Sequence, residues 1–192
     1  MRQKRLDARM LALIGVLAAL VFALSLVEFR IPLALGDKTR IHFGNIMCLV
    51  SGVLFGPMVG GMAAGLGSMF YDFTNPLYFS EFWITFLTKF CMGWTAGMLA
   101  KHALAKVPMF PRVLVAGLGG QLVYIALYLC KTAVMQHFLY GNPWPAVWVV
   151  VAGKAAVSSV NGLLAVAGCA LLAPALAAGL KTTGLLARRG TA

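Results

Sequence analysis

The sequence predicts an all-α integral membrane protein, folded as a compact bundle of six transmembrane helices with both termini in the cytoplasm. Apolar residues make up 61% of the 192 residues, and charged residues only 11%. Apolar runs close to the roughly 20 residues that span a bilayer recur along the whole chain. No long polar linker interrupts them, so a single domain over residues 1–192 is expected.

The predicted helices cover approximately residues 8–29, 41–55, 57–72, 81–103, 112–139 and 146–172. The first run is longer than the apolar core of a signal peptide, which favours a retained helix. The stretch 41–72 could form one helix or two. A break at Gly56-Pro57 is favoured, because proline lacks the amide donor and restricts the residue before it.

The basic residues decide between five spans and six, because cytoplasmic loops carry an excess of Lys and Arg. Six spans place the N-terminus, the loop 101–112 and the C-terminal tail inside. The inner side then holds Arg2, Lys4, Arg5, Arg9, Lys101, Lys106, Arg112, Lys181, Arg188 and Arg189. The outer side holds Arg30, Lys38 and Arg40. Five spans would divide these clusters.

Three lysines, Lys89, Lys131 and Lys154, lie inside otherwise apolar stretches. An uncompensated ammonium in a bilayer costs about 2.5–3.5 kcal/mol on insertion scales, so such residues usually have a function. Each lysine lies eight positions from the outer end of its predicted helix, about 12 Å deep. Three cations at one depth predict a cavity that opens outward and holds an anionic group.

Polar and aromatic residues at helical spacing complete the predicted site. The candidate substrate-binding residues are Lys89, Lys131, Lys154, Arg40, Asn45, Asp72, Tyr128, Trp148 and Asn161. We expect the lysines to anchor charge, Asn45, Tyr128 and Asn161 to orient the ligand, and Arg40 and Trp148 to lie near a lid. Alternatively, Glu28, Asp72 and Glu81 could neutralise individual lysines, or a lysine could extend to an interface. Since the chain has only five acidic residues, a neutral to positive cavity is expected.

Other classes of site have no support in the sequence. The three histidines lie in separate segments, and no catalytic, nucleotide or cofactor motif occurs. The four cysteines are widely spaced, so no metal site is expected. The net charge of +11 comes from residues at the ends of apolar segments, which does not indicate nucleic-acid binding.

The first helix carries small residues at spacings of three and four. Such a smooth stripe lets another helix approach closely. Its central residues, Gly15, Ala19 and Ala23, are the candidate surface for a partner protein.

The block IHFGNIMCLVSGVLFGPMVGGMAAGLGSMFYDF, residues 41–73, resembles the substrate-binding S components of energy-coupling factor (ECF) vitamin transporters. That family shows a similar short helix, a Gly-Pro turn and a Gly/Ala-rich helix that ends in an acid. The later WITFLTKFCMGWTAGML is similar to its fourth helix. The resemblance implies capture of a vitamin under the first outer loop of a prokaryotic plasma-membrane protein. It also implies docking on a transmembrane T component driven by two ATPases, and the family's AxxxA docking motif corresponds best to Gly15 and Ala19.

The leading hypothesis is therefore uptake of a water-soluble vitamin or related micronutrient, without catalysis or a bound cofactor in this chain. Pantothenate and folate suit the lysines, while riboflavin and cobalamin remain open because aromatic walls and amide contacts could serve them. Two other classes stay possible, a self-sufficient small-solute carrier and an intramembrane enzyme. Transport by the isolated chain, or turnover of a lipid or peptide, would reveal them.

Overall fold

The computed structural model describes residues 8–33, 38–76 and 78–182. Six helices and one two-stranded hairpin form the described parts: α1 Ala8–Ser25, β1 Glu28–Pro32, β2 Lys38–His42, α2 Gly44–Phe55, α3 Pro57–Thr74, α4 Phe82–Met98, α5 Met109–Val134 and α6 Trp144–Thr182. The all-α class is confirmed. Of the predicted cytoplasmic basic residues, Arg2, Lys4, Arg5, Arg188 and Arg189 lie outside the described residues.

Within those ranges, three helical stretches are long and apolar enough to cross a membrane: Ala8–Ser25, Met109–Leu139 and Trp144–Leu180. The last two include a π-helical turn at the end of α5 and the proline-containing part of α6. These stretches support a membrane protein. Six crossings and cytoplasmic termini remain predictions.

The segment after α1 differs from its prediction as helix and loop. The helix ends at Ser25 rather than near residue 29, and β1 pairs with β2 antiparallel, with Arg30 opposite Arg40. Ser25 Oγ donates a hydrogen bond to the Val21 carbonyl oxygen at 2.8 Å, a local contact common where helices bend or end. The residues that follow alternate between polar and apolar types, a period typical of strands.

The break between α2 and α3 falls at Gly56-Pro57, as the sequence predicts. Gly56 has φ +95°, a conformation that favours glycine, and Pro57 is the first residue of α3. The break lets α2 and α3 pack against each other as separate helices. Apart from Ile46, the residues of α2 from Gly44 to Leu54 are all buried, so α2 is the central helix.

Three glycines bring the backbones of α2, α3 and α4 into close approach. A Cβ atom added to Gly52 would lie 2.3 Å from the Gly93 carbonyl oxygen, and one added to Gly60 would lie 2.3 Å from the Gly52 Cα. At Gly93, it would lie 2.5 Å from the Gly60 carbonyl oxygen. Small residues are what allow membrane helices to pack this closely.

Replacing Gly52 by alanine should therefore destabilise the fold by about 1–3 kcal/mol, the cost of overpacking a dense core. Thermal unfolding of the purified protein in one detergent would measure the loss as a lower midpoint. The matched control is Gly15→Ala on α1, where an added Cβ meets nothing within 4 Å. Equal midpoints for the two variants would contradict the close approach.

Candidate functional site

A cavity of about 250 Å³ lies between the hairpin and the parts of α3–α6 nearest to it. Cationic, acidic, aromatic and hydroxyl side chains line it together. The lining consists of Thr39, Arg40, His42, Asp72, Tyr78, Glu81, Ile84, Thr85, Thr88, Lys89, Tyr124, Tyr128, Lys131, Tyr140, Lys154, Ser158 and Asn161. The structure therefore brings all three lysines singled out in the sequence to one cavity.

Lys89 is the most deeply buried of the three, with 2% of its surface exposed. Its ammonium donates a hydrogen bond to Asn45 Oδ1 and lies 3.7 Å from the centroid of the Tyr124 ring. Among the described residues, no carboxylate oxygen lies within 4.0 Å of the Lys89 ammonium. A buried cation is thus held by a neutral amide and a ring face.

Two stacked tyrosines connect Lys89 to the other lysines. The Tyr124 and Tyr128 rings lie 5.8 Å apart, and their planes differ by 15°. The ammonium groups of Lys131 and Lys154 lie 5.8 and 5.5 Å from the Tyr128 centroid. Lys131 also forms an ion pair with Glu81. Of the three acidic residues that could neutralise a lysine, Glu81 therefore does so.

Arg40 forms ion pairs with the other two acidic residues, Glu28 and Asp72. Its guanidinium lies 3.2 Å from a Glu28 oxygen and 3.3 Å from an Asp72 oxygen. It also lies over the rings of Tyr71 and Tyr78, at 3.9 and 4.6 Å from their centroids. Arg40 therefore ties β2 to β1, to α3 and to the loop before α4, and so fixes the hairpin beside the cavity.

The groups outside the helices with shifted pKa values include His42, Tyr78 and Glu28. Burial and the positive charges of Arg40 and Lys89 hold the pKa of His42 well below its usual value, so its ring is neutral at pH 7. Burial raises the pKa of Tyr78 to about 12, which keeps its hydroxyl protonated. Burial would raise the pKa of Glu28, but hydrogen bonds from Tyr71 and Arg30 and the charge of Arg40 outweigh it, so that pKa is lowered.

The charges of the lining favour an anion. Four cationic side chains face two carboxylates, with His42 neutral; they are Arg40, Lys89, Lys131 and Lys154 against Asp72 and Glu81. Two lining groups also contain buried polar atoms without a hydrogen-bond partner in the described structure, His42 Nδ1 and Tyr78 Oη. In the same parts of the chain, no three His, Cys, Asp or Glu side chains are placed to hold a metal ion.

Two predicted residues lie outside the lining. Asn45 is fully buried behind Lys89, which it contacts, so it supports a cavity residue instead of facing the cavity. Trp148 is 58% exposed and stacks on Trp144 at 6.0 Å. It is six positions from Lys154, and at about 100° per residue the two lie on different faces of α6.

Several lining residues were not singled out in the sequence. They are Thr39, Tyr78, Ile84, Thr88, Tyr140 and Ser158. Helical spacing could have identified Ser158, because Lys154, Ser158 and Asn161 follow i, i+4 and i+7. Asn161 also accepts a hydrogen bond from the His42 backbone amide at 3.4 Å, which joins the end of β2 to α6.

The small-residue stripe of α1 lies on the outside of the bundle. Gly15, Ala19 and Ala23 are exposed, whereas Leu17 and Val21 on the other face are buried. The stripe and the cavity are therefore separate surfaces, so each can be altered without the other.

The sequence matches the family described as ECF-type riboflavin transporter, S component, over residues 5–178. It is also similar to a protein of Pyrococcus woesei described as an uncharacterized protein in the gap 3' region. The two are 32% identical over 116 residues, which is 60% of this chain and 70% of the relative.

Proposed function

Because the chain belongs to the family of ECF-type riboflavin transporter S components, we propose that it captures a small anionic vitamin for ATP-driven uptake. The family is one of transporter subunits, not enzymes, and captures vitamins for ECF uptake. The observation that carries the choice of an anion is Lys89, buried at the cavity with no carboxylate partner among the described residues.

A buried charge is costly unless it is paired. Asn45 and Tyr124 offset part of that cost for Lys89. A carboxylate or phosphate bound in the cavity would supply the missing negative charge in a medium of low dielectric constant, where charge pairing is strong. We therefore assign the anionic group of the ligand to Lys89.

The size of the cavity narrows the choice of anionic vitamin. Ligand sites usually measure about 300–1,000 Å³, and this one, at about 250 Å³, is small. That size favours pantothenate over the larger folate. Tyr124 and Tyr128 would form the apolar wall, and Thr88, Ser158 and Asn161 would hydrogen-bond the hydroxyl and amide groups of pantothenate.

Riboflavin is the second candidate, since the family's description names it and the stacked tyrosines offer a flat wall for its ring system. It is neutral, however, and would leave the Lys89 ammonium uncompensated. The charges of the lining therefore favour pantothenate.

We further propose that the protein lies in a prokaryotic plasma membrane and works with a T component and two ATPases. The exposed stripe at Gly15, Ala19 and Ala23 would contact the T component. Six membrane crossings with cytoplasmic termini would place the cavity on the outer side. A self-sufficient carrier would instead transport its ligand as an isolated chain in liposomes.

Calorimetric titration of the purified protein in nanodiscs tests the ligand. We expect pantothenate to bind. Riboflavin and the neutral alcohol panthenol should bind at least tenfold more weakly, because a lost charged contact costs about 1.4 kcal/mol or more, and folate should bind more weakly because of its size. Native mass spectrometry of protein purified from rich medium would identify a retained ligand independently. Riboflavin binding as tight as that of pantothenate, or no binding of pantothenate, would refute the assignment.

A further inference from the structure

One ion pair lies within the space proposed for the ligand. Glu81 and Lys131 both line the main cavity and a smaller adjoining pocket of about 40 Å³. Their side chains are 22% and 14% exposed, and the carboxylate contacts the ammonium directly. A protein carboxylate therefore occupies one of the cations that an anionic ligand would use.

Asp72 is placed differently. Its side chain is only 2% exposed, and its ion pair is with Arg40, which is held by two carboxylates and two aromatic rings. Such a shared contact fixes Asp72 to the hairpin. Glu81, by contrast, has one ion-pair partner among the described residues, and it is the most exposed carboxylate in the described ion pairs.

Glu81 also has a second favourable position. It lies directly before α4, at the residue that caps the helix, and its side chain makes no capping hydrogen bond. The free amides of the first turn of a helix attract negative charge. A carboxylate released from Lys131 could therefore turn toward the start of α4 at little cost.

Resting on the function proposed above, we propose that Glu81 is an internal competitor of the ligand's anionic group for the Lys131 ammonium. Its carboxylate occupies Lys131. The carboxylate of a ligand anchored at Lys89 can contact Lys131 as well only after this pair is broken, whereas a neutral ligand leaves the pair in place. Glu81 thus lowers the affinity for ligands whose negative group contacts Lys131, and leaves the affinity for neutral ligands nearly unchanged.

Binding of pantothenate and panthenol in nanodiscs tests the competition, with wild type, Glu81→Gln, Lys131→Met and the double variant. We expect Glu81→Gln to bind pantothenate about three- to tenfold more tightly, since a partly exposed ion pair no longer has to be broken. Panthenol affinity should rise less than twofold, because a neutral ligand leaves the Glu81–Lys131 pair in place. In the Lys131→Met background, the gain from Glu81→Gln should vanish, because the contested cation is absent.

Equal or weaker pantothenate binding by Glu81→Gln would overturn the proposal, and weaker binding would show that Glu81 holds Lys131 in place for the ligand. If wild type binds pantothenate and Glu81→Gln gains nothing, the competition alone fails. If neither binds pantothenate, the proposed function fails with it. Should Glu81→Gln unfold, Glu81→Asp keeps the charge but shortens the reach, and a loss of affinity in that variant also overturns the competition.

Discussion

Lys89→Met should abolish tight binding of pantothenate while leaving the empty protein at least as stable as wild type. Removing one partner of a buried charged contact costs about 2–5 kcal/mol, which is a loss of at least about 30-fold in affinity. Stability should not fall, because the substitution removes a buried ammonium that forms no direct ion pair with a carboxylate in the described structure. Calorimetric titration and thermal unfolding of the same preparation would measure both effects.

The combination of the two effects distinguishes a binding residue from a structural one. A methionine fits the space of the lysine stem, and its cost is the loss of the hydrogen bond to Asn45. Lys106→Met, an exposed change in the loop between α4 and α5, is the control for net charge and should bind normally. Weak binding of Lys89→Met together with a clearly lower unfolding midpoint would mean that Lys89 maintains the fold. Normal binding would remove Lys89 from the site.

Gly15→Leu should block uptake in cells that contain the coupling proteins, while the purified variant binds pantothenate as wild type does. The stripe on α1 is exposed, and an added Cβ at Gly15 meets no atom of this chain within 4 Å. A leucine there would therefore spare the bundle but hold a partner helix away. We expect uptake to fall at least about tenfold, a coupling loss of about 1.4 kcal/mol.

Ala156→Leu is the matched control, because Ala156 is exposed on a different helix, α6, and the change adds a side chain of the same size. Uptake by that variant should stay close to wild type. Ala19→Leu and Ala23→Leu would define the register, since the position nearest the partner should lose the most uptake. Full uptake by all three stripe variants would place the docking surface elsewhere on the bundle.

The convergence of the three lysines could be predicted from sequence, because an ammonium within an apolar helix has few tolerable positions. The hairpin was not predicted in the same way, because the alternation of polar and apolar residues from Glu28 to Ile31 is short and follows directly on the apolar run of α1. The sequence also left the ion-pair partners of the acidic residues undecided. Glu28, Asp72 and Glu81 lie at similar predicted depth, and only the packing of β2 against α3 gives Asp72 to Arg40.

The rotation of side chains along α6 and the starting point of α2 explain why Trp148 and Asn45 do not line the cavity. Trp148 and Lys154 belong to one segment, but rotation along α6 places them on separate faces, and Trp148 does not line the cavity. Asn45 is the second residue of a short helix whose depth the sequence does not specify. Its contact with Lys89 depends on where α2 begins, just after the hairpin.

The shortness of α2 has an electrostatic consequence. With 12 residues it is about 18 Å long, well under the roughly 30 Å of a hydrocarbon layer. Its amino end, which includes Asn45, lies behind Lys89. The amino end of a helix carries about half a unit of positive charge. The backbone of the central helix itself therefore makes the interior potential more positive, and part of the attraction for an anion would persist after every lysine had been replaced.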